Sequence, residues 1–231
     1  TFLGMIGSVI DITDRKAAEE RQALLMRELD HRAKNALSVV QAALRLTPKD
    51  DAQAYARAVE GRVRALARAH SMLAEAHWRG ARLRALLEAE LAPFLTGQRV
   101  ELSGPAVALR PEAAQGLAMV VHELATNAIK HGALSAATGR ITVSWRVEEG
   151  PDETRRLRLR WSESGGPPLK APPRRKGFGS RVLNSTVRLQ LRGTVTLEWD
   201  PAGLICVIDV PLEKLPAKGG AGTGPEDAPA H

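Results

Sequence analysis

Hydrophobic and polar positions along the chain follow a helical period first and a mixed pattern later, and the change falls near Gly80. From Asp14 to about Leu46 there is neither Gly nor Pro. Leu25, Leu29, Ala33, Ala36, Val40 and Ala43 recur there at alternating four- and three-residue steps, which predicts one long helix with a single apolar seam. Thr47-Pro48-Lys49-Asp50 stops it and starts another: Thr47 can cap, Pro48 suits the first helical position and Asp50 sits where a capping-box acid belongs. The second helix is expected to run to about His77, with Val59, Val63, Leu66, Ala69 and Leu73 on one face. Two amphipathic helices joined by a short turn make a helical hairpin. Its seam is buried either by pairing with a second chain into a four-helix bundle, the default, or by a neighbouring domain of the same chain.

After Gly80 the expected elements are a helix to about Leu95, a short strand near Arg99–Leu102 and a helix over roughly Pro111–His131. Strands follow at Arg140–Val147, Leu157–Ser162, Gly193–Trp199 and Leu204–Pro211, the last of them β-branched and buried in character. Asp200-Pro201-Ala202-Gly203 is the turn between the last two strands. Between the strand pairs, 165–179 holds four prolines and four glycines and reads as a loop, followed by a helix from about Ser180 to Leu191. The fold class is therefore α+β: a helical hairpin, then a mixed sheet with helices on one face. Residues 2–12, rich in Ile, Val and Gly, read as a strand. The stretch from about Pro216 is rich in Gly, Ala and Pro and is expected to be disordered.

Bulk properties narrow the functional classes. With 231 residues the chain suits one large domain or two small ones. No run of about 18 apolar residues occurs, so no membrane insertion is expected. The N-terminus lacks the features of a signal peptide, and the absence of an initiator Met suggests a fragment of a longer chain. Cys206 is the only cysteine, which excludes an internal disulfide and fits a reducing, cytoplasmic (bacterial) setting. The net charge of +7 invites a nucleic-acid reading. Against it, the arginines are dispersed among helix positions, only Arg174-Arg175-Lys176 cluster tightly, and aromatics are 3% of residues. A stacking surface for bases is not supplied, so no nucleic-acid partner is expected.

Four segments could carry chemistry. In Glu28-Leu29-Asp30-His31-Arg32-Ala33-Lys34-Asn35, helical spacing puts His31 on a polar face with Glu28, Lys34, Asn35 and Ser38, opposite the seam. A solvated imidazole there is neutral and nucleophilic just above pH 7. In His122-Glu123-Leu124-Ala125-Thr126-Asn127-Ala128-Ile129-Lys130, the buried stripe is Leu117, Val121, Leu124 and Ala128. Glu123, Asn127 and Lys130 share a second ridge, offering a carboxylate, a hard amide oxygen suited to Mg²⁺ and an ammonium suited to phosphate. Asn is a poor choice in mid-helix without a local reason. In Trp161-Ser162-Glu163-Ser164-Gly165-Gly166, a strand delivers an acid to a Gly-Gly turn, where a flat ligand can approach the backbone and a carboxylate can accept from an exocyclic amine; Trp161 by itself reads more readily as core. Finally, Gly177-Phe178-Gly179-Ser180 opens a helix and presents free N–H groups to phosphate, with the preceding basic loop as a mobile lid. Each piece alone is nonspecific.

Together and in this order, over about residues 22–212, these segments resemble the sensor histidine kinases of the HWE family. His122, Trp161 and Glu163 match the three residues that name it, and His31 in Asp-His-Arg-x-Lys-Asn matches its phosphoacceptor. The resemblance implies a Bergerat-type ATP-binding α/β sandwich beside a dimerisation and phosphotransfer hairpin. It implies catalytic roles for His31, as phosphoacceptor, and Glu123, which helps polarise the reacting groups. Nucleotide contacts fall to His122, Asn127, Lys130, Trp161, Glu163, Gly165, Gly177, Gly179 and Ser180, with Asn127 the Mg²⁺ ligand and Glu163 the acceptor for the adenine amine, standing where most histidine kinases have Asp. His131 departs from the Tyr frequent in relatives. Gly7 to Lys16 looks like the last strand and exit of a PAS sensor. The implied organisation is the end of a PAS domain and linker over 1–20, the hairpin over 21–79, the ATP-binding domain over 80–214 and a disordered tail over 215–231.

The implied activity is ATP-dependent autophosphorylation of His31 and transfer to an Asp of a response regulator receiver domain. Partners are that regulator, a second copy in a homodimer and an N-terminal sensor domain; ATP and Mg²⁺ are the cofactors. Asp30 or Asn35 orients the imidazole, and a hinge around His77–Gly80 lets the ATP domain reach it. Two rivals are a kinase or ATPase of the same fold acting on Ser or water, and a non-catalytic ATP-binding adaptor.

Overall fold

The computed structural model describes residues 11–18, 20, 22, 44, 51–76, 78–95, 99–150, 154–168 and 178–212. By contact the chain forms two compact units, Thr1–Arg45 and Leu46–His231. In the first, residues 13–18 are helical, and the Ile12 carbonyl accepts from the Lys16 N–H at 2.9 Å. Most of the expected strand over 2–12 and of the seam helix, His31 included, lies outside the described residues; residues 11 and 12 are irregular.

The second unit begins with helix α1, Ala52–Glu75. Its N-cap is Asp51, whose carboxylate accepts from the Gln53 and Ala54 N–H groups, so the helix starts four residues after the expected cap at Thr47. An Asp in extended backbone at this position satisfies two of the donors that a helix start leaves open. The buried side of α1 is Arg62, Ala65, Leu66, Ala69 and Leu73. Val63, expected on that face, is 40% exposed. After α1 the backbone turns sharply: Trp78 has φ 57 and Gly80 φ 114, with the Trp78 ring edge-on to His70 at 4.8 Å.

The remaining elements are β1 (Ala81–Arg82), α2 (Leu83–Leu95), β2 (Val100–Ser103), β3 (Ala108–Leu109), α3 (Pro111–Lys130), a 3-10 turn (Ala133–Ser135), β4 (Arg140–Glu149), β5 (Arg155–Ser164), α4 (Phe178–Ser185), a π-helical turn (Thr186–Gln190), β6 (Thr194–Asp200) and β7 (Gly203–Pro211). β1 and β3 pair by themselves; the main sheet runs β2-β4-β5-β7-β6, with β2 parallel to β4 and every other pair antiparallel. The expected mixed sheet is thus present. Its strands alternate strictly. Ile141, Val143, Trp145, Leu157, Leu159, Trp161, Cys206 and Ile208 are buried, whereas Thr142, Arg146, Arg158 and Arg160 are exposed. One face therefore packs on the helices and the other meets water.

Helix α3 is buried far beyond its expected four-residue stripe: Ala114, Gly116, Ala118, Met119, Val120, Glu123 and Ala125 are buried as well. The reason is its central place, since it touches α1, α2, α4 and the π-helical turn. The helix expected over Ser180–Leu191 starts at Phe178 and widens into the π turn at Thr186, where the Leu191 N–H reaches the Thr186 carbonyl at 3.0 Å.

Register carries the inner row Val143–Trp161–Cys206–Leu197 across four strands. Burial, then the Glu163 charge, pushes the Cys206 thiol up to about 12. Cys206 is therefore expected to resist alkylation in native buffer at pH 8 and to react only at the rate of unfolding. Rapid stoichiometric labelling, read by mass spectrometry, would contradict this packing.

Candidate active site

Two residues of β5 define the centre of the site. Trp161 and Glu163, two apart, both point to the inner face. Trp161 is wholly buried, so it acts as core, and its indole Nε1–H donates to Glu163 Oε1 at 3.1 Å. The other oxygen, Oε2, accepts from the Ala133 N–H at 2.8 Å. Glu163 is 4% exposed. Burial raises its proton affinity, and the two N–H donors offset this only in part, so its carboxyl sits above the usual range.

The Ala133 donor is presented by a fixed loop. The Arg99 guanidinium donates to the carbonyls of Leu134 (3.2 Å), Ala136 (2.5 Å) and Gly139 (3.2 Å), holding the 3-10 turn against the sheet. Gly132 is required here, because a Cβ would fall onto Glu163 Oε2 and within 2.9 Å of the Ala128 Cα. Gly165, two residues beyond Glu163, has φ 67, and its carbonyl accepts from Thr138 Oγ1 at 2.9 Å. At Gly166 an added Cβ would stand 2.6 Å from the Ala133 Cα. The Gly-Gly turn thus closes tightly on the end of α3.

The polar ridge of α3 is split between two environments. Asn127 is half-buried and Lys130 and His131 are exposed; the Asn127 side-chain amide bonds to no other described residue. Glu123, by contrast, is buried and paired with Arg62 of α1, Nε to Oε1 at 2.6 Å and Nη2 to Oε2 at 3.0 Å. His122 faces the other way, its Nδ1 3.7 Å from Glu90 Oε2. Glu90 of α2 is held by Arg68 of α1, Nε at 3.0 Å and Nη2 at 2.5 Å. Burial raises the Glu90 carboxyl, but His122 and Arg68 outweigh it and its proton affinity is lowered. Gly61 lies against His122, where a Cβ would be 2.9 Å from Nε2.

The structure thus joins Glu163 and Trp161 beside Gly165, and sets Asn127 and Lys130 along the exposed end of α3. It turns His122 and Glu123 toward α1 and α2. Gly179 and Ser180 lie in the first turn of α4, while Gly177, the basic loop and His31 lie outside the described residues. Sequence reasoning missed Arg62, Arg68, Glu90 and the Ala133 N–H. Arg62 did leave a signal: it stands in register with Leu66, Ala69 and Leu73, and an arginine in an apolar stripe demands a buried acid.

The donor set fits an aminopurine triphosphate. Glu163 retains unused lone pairs beside a Gly-Gly turn, and Asn127 and Lys130 offer a hard oxygen and a cation for phosphate-bound Mg²⁺ and phosphate. Among the described residues no His, Cys, Asp and Glu side chains gather in a group able to hold a metal.

A histidine-kinase catalytic sandwich is the architecture these elements define. The Erythrobacter litoralis EL346 blue-light activated histidine kinase superposes with a TM-score of 0.54 at 21% identity, covering 91% of this chain and 63% of that one. The histidine kinase domain of the same protein gives 0.51 at 20% identity, covering 78% and 96%. Residues 28–106 match the family model described as HWE histidine kinase. A blue-light-activated histidine kinase of Brucella anthropi is 39% identical over 212 residues, 90% of this chain and 43% of that protein. One from Rhizobium johnstonii is 37% identical over 215 residues, 91% and 60%. The chain is thus similar to the HWE histidine kinases, and it spans about half the length of these curated relatives. No helix among the described residues is long and apolar enough to cross a membrane.

Proposed function

We propose that this chain is an ATP-dependent histidine kinase that phosphorylates its own His31 and passes the phosphoryl group to an Asp of a response regulator. The observation that carries the reading is the Glu163 arrangement, a buried carboxylate fixed by Trp161 and Ala133 at the Gly-Gly end of an inner strand. Such a group selects a purine by its amine and orients it rigidly. Mg·ATP supplies the phosphoryl group and neutralises its charge. Asn127 serves as the protein's ligand to the cation, and Lys130 and the backbone of Gly177, Gly179 and Ser180 hold phosphate. The lone pair of a neutral His31 ring nitrogen would form the phosphoramidate bond to the γ-phosphorus as the bond to the bridging oxygen breaks, with ADP leaving, the proton of the other ring nitrogen passing to solvent, and Asp30 or Asn35 orienting the ring.

The same reading assigns residues 21–79 to dimerisation and phosphotransfer and 80–214 to ATP binding. The same reading takes the face of α1 that carries Val59 and Val63 as the seam of the hairpin. Residues 1–20 are read as the exit of a sensor domain. Phosphotransfer is tested by mixing the phosphorylated chain with candidate receiver domains. Label should leave the chain and appear on a receiver, and not on one whose acceptor Asp is replaced by Ala; label that never leaves would reduce the function to autophosphorylation.

A pH dependence follows from Glu163. Its proton affinity is raised in the fold, so between the ordinary value of 4.5 and the higher folded value the native chain binds more protons than the unfolded one. The contribution of Glu163 to stability therefore falls as pH rises through that window. Nucleotide binding runs the opposite way, since only the carboxylate accepts from an amine on both oxygens. ATP affinity should weaken on acidification sooner than an ordinary carboxylate would allow, and a Glu163→Gln control should lack this component. Parallel titrations of both proteins from pH 7.5 down would show it, and parallel curves would remove Glu163 from the amine contact.

A further inference from the structure

Arg62, Arg68 and Glu90 have no part in the chemistry just described, yet they bracket two consecutive residues of the proposed ATP-binding helix. Arg62 meets Glu123 through two bonds, and both side chains are almost dry, 5% and 4% exposed. Six residues on, Arg68 meets Glu90 through two bonds, and Glu90 flanks His122. Both arginines belong to α1, the helix that follows the His31 segment in sequence.

Stability does not explain this choice. A buried ion pair gives little net gain over apolar side chains of the same volume, and Ala65, Leu66, Ala69 and Leu73 already pack α1 by apolar contact. What the pair supplies is geometry. A guanidinium fork bonded to both oxygens of a carboxylate fixes its position and the rotation of its plane, which a single ammonium cannot do. Each oxygen keeps a lone pair free. Glu123 also stands one helical turn before Asn127, on the ridge whose exposed end holds Lys130.

We infer that Arg62 is a positioning residue for phosphoryl transfer: through Glu123 it gives helix α1 control over the orientation of the acid on the ATP-binding helix. Arg68 secures the same contact at one remove, through Glu90 to His122. The inference rests on the kinase reading above. It makes α1 more than one arm of a hairpin, because a shift of α1 reaches Glu123 directly while leaving the Glu163 contact on β5 in place.

The test is a kinetic cycle on the full chain with Arg62→Lys, Arg62→Met, Glu123→Gln and the double variant Arg62→Met/Glu123→Gln. Autophosphorylation rate at saturating Mg·ATP and equilibrium ATP affinity are measured separately, with circular dichroism to verify folding. Arg62→Met should lower the rate on the order of 100-fold, as misplacement of a reacting group does, while ATP affinity stays within about twofold. Arg62→Lys should lose about 10-fold, keeping the charge without the fork. The double variant should be no slower than Glu123→Gln alone. Should Arg62→Met fail to fold, the Lys variant decides. An unchanged rate overturns the inference, as does a loss that multiplies with that of Glu123→Gln. A faster rate also overturns it, making the pair a clasp that restrains the enzyme. Failure of the parent chain to label at all would instead overturn the kinase reading.

Discussion

Replacing His31 by Gln is expected to abolish phosphoryl labelling of the chain while leaving its affinity for Mg·ATP within about twofold. The lone pair of a Gln amide nitrogen is delocalised into its carbonyl, so it cannot attack phosphorus as an imidazole nitrogen does. Gln is a better helix former than His and suits the polar face that helical spacing assigns to position 31, so the variant should fold. The nucleotide contacts assigned here lie in the other compact unit. Filter assays with γ-labelled ATP and titration with unlabelled ATP separate the two effects. Residual labelling would move the acceptor to another histidine, and His122 is a poor candidate because it is packed between Glu90 and Gly61.

Glu163→Gln should be the most damaging change on the nucleotide side. The carboxylate accepts from the Ala133 N–H at 2.8 Å and from the Trp161 indole at 3.1 Å, one on each oxygen. Gln offers one acceptor and turns an NH₂ toward the other donor, leaving a buried N–H without a partner at a cost of about 1–3 kcal/mol. For a chain of this size that lowers Tm by about 2–4 °C per kcal/mol. ATP affinity should fall about 10- to 100-fold, because a hydrogen bond to a charged acceptor contributes about 1.5–3 kcal/mol. A triphosphate of unsubstituted purine discriminates the cause. If it binds parent and variant alike, the amine contact is at Glu163; if both nucleotides lose equally, Glu163 acts only through the fold.

Much of this architecture was legible in the chain. The β-branched run at 204–210 and the Asp200–Gly203 turn set the last two strands, and the boundaries of all four expected strands after α3 shifted by only a few residues. The Asp200 carboxylate accepts from the Ala202 N–H at 2.8 Å, the bond that its turn chemistry predicts. Helix α3 was harder, because a helix enclosed on several sides by α1, α2 and α4 loses the one-sided pattern that marks a surface helix. The start of α1 was misread because three residues near it, Thr47, Asp50 and Asp51, can all cap, and propensity alone does not rank them.

The site divided in the same way. The strand-borne pair Trp161 and Glu163 could be placed from a period of two, and the reading of Trp161 as core agrees with its complete burial; what emerged only in three dimensions is the bond from its indole to Glu163. The Ala133 N–H could not be read at all, since a backbone donor has no signature beyond the fold that aims it. Arg99, which aims it, sits 34 residues upstream of Ala133 and acts on carbonyls alone. Glu123 was chosen for chemistry, but its partner Arg62 lies 61 residues away and appears only when α1 is packed on α3.

The central claim is that the phosphoryl group ends on a histidine nitrogen, and the chemical stability of the label addresses this directly. The chain is incubated with γ-labelled Mg·ATP, and the labelled product is divided between acid and alkali. A phosphoramidate is lost in acid and survives alkali, and that is the predicted result. Label that survives acid would place the phosphate on a Ser or Thr oxygen, and no label with ATP still bound would leave a nucleotide-binding adaptor; either would contradict the account.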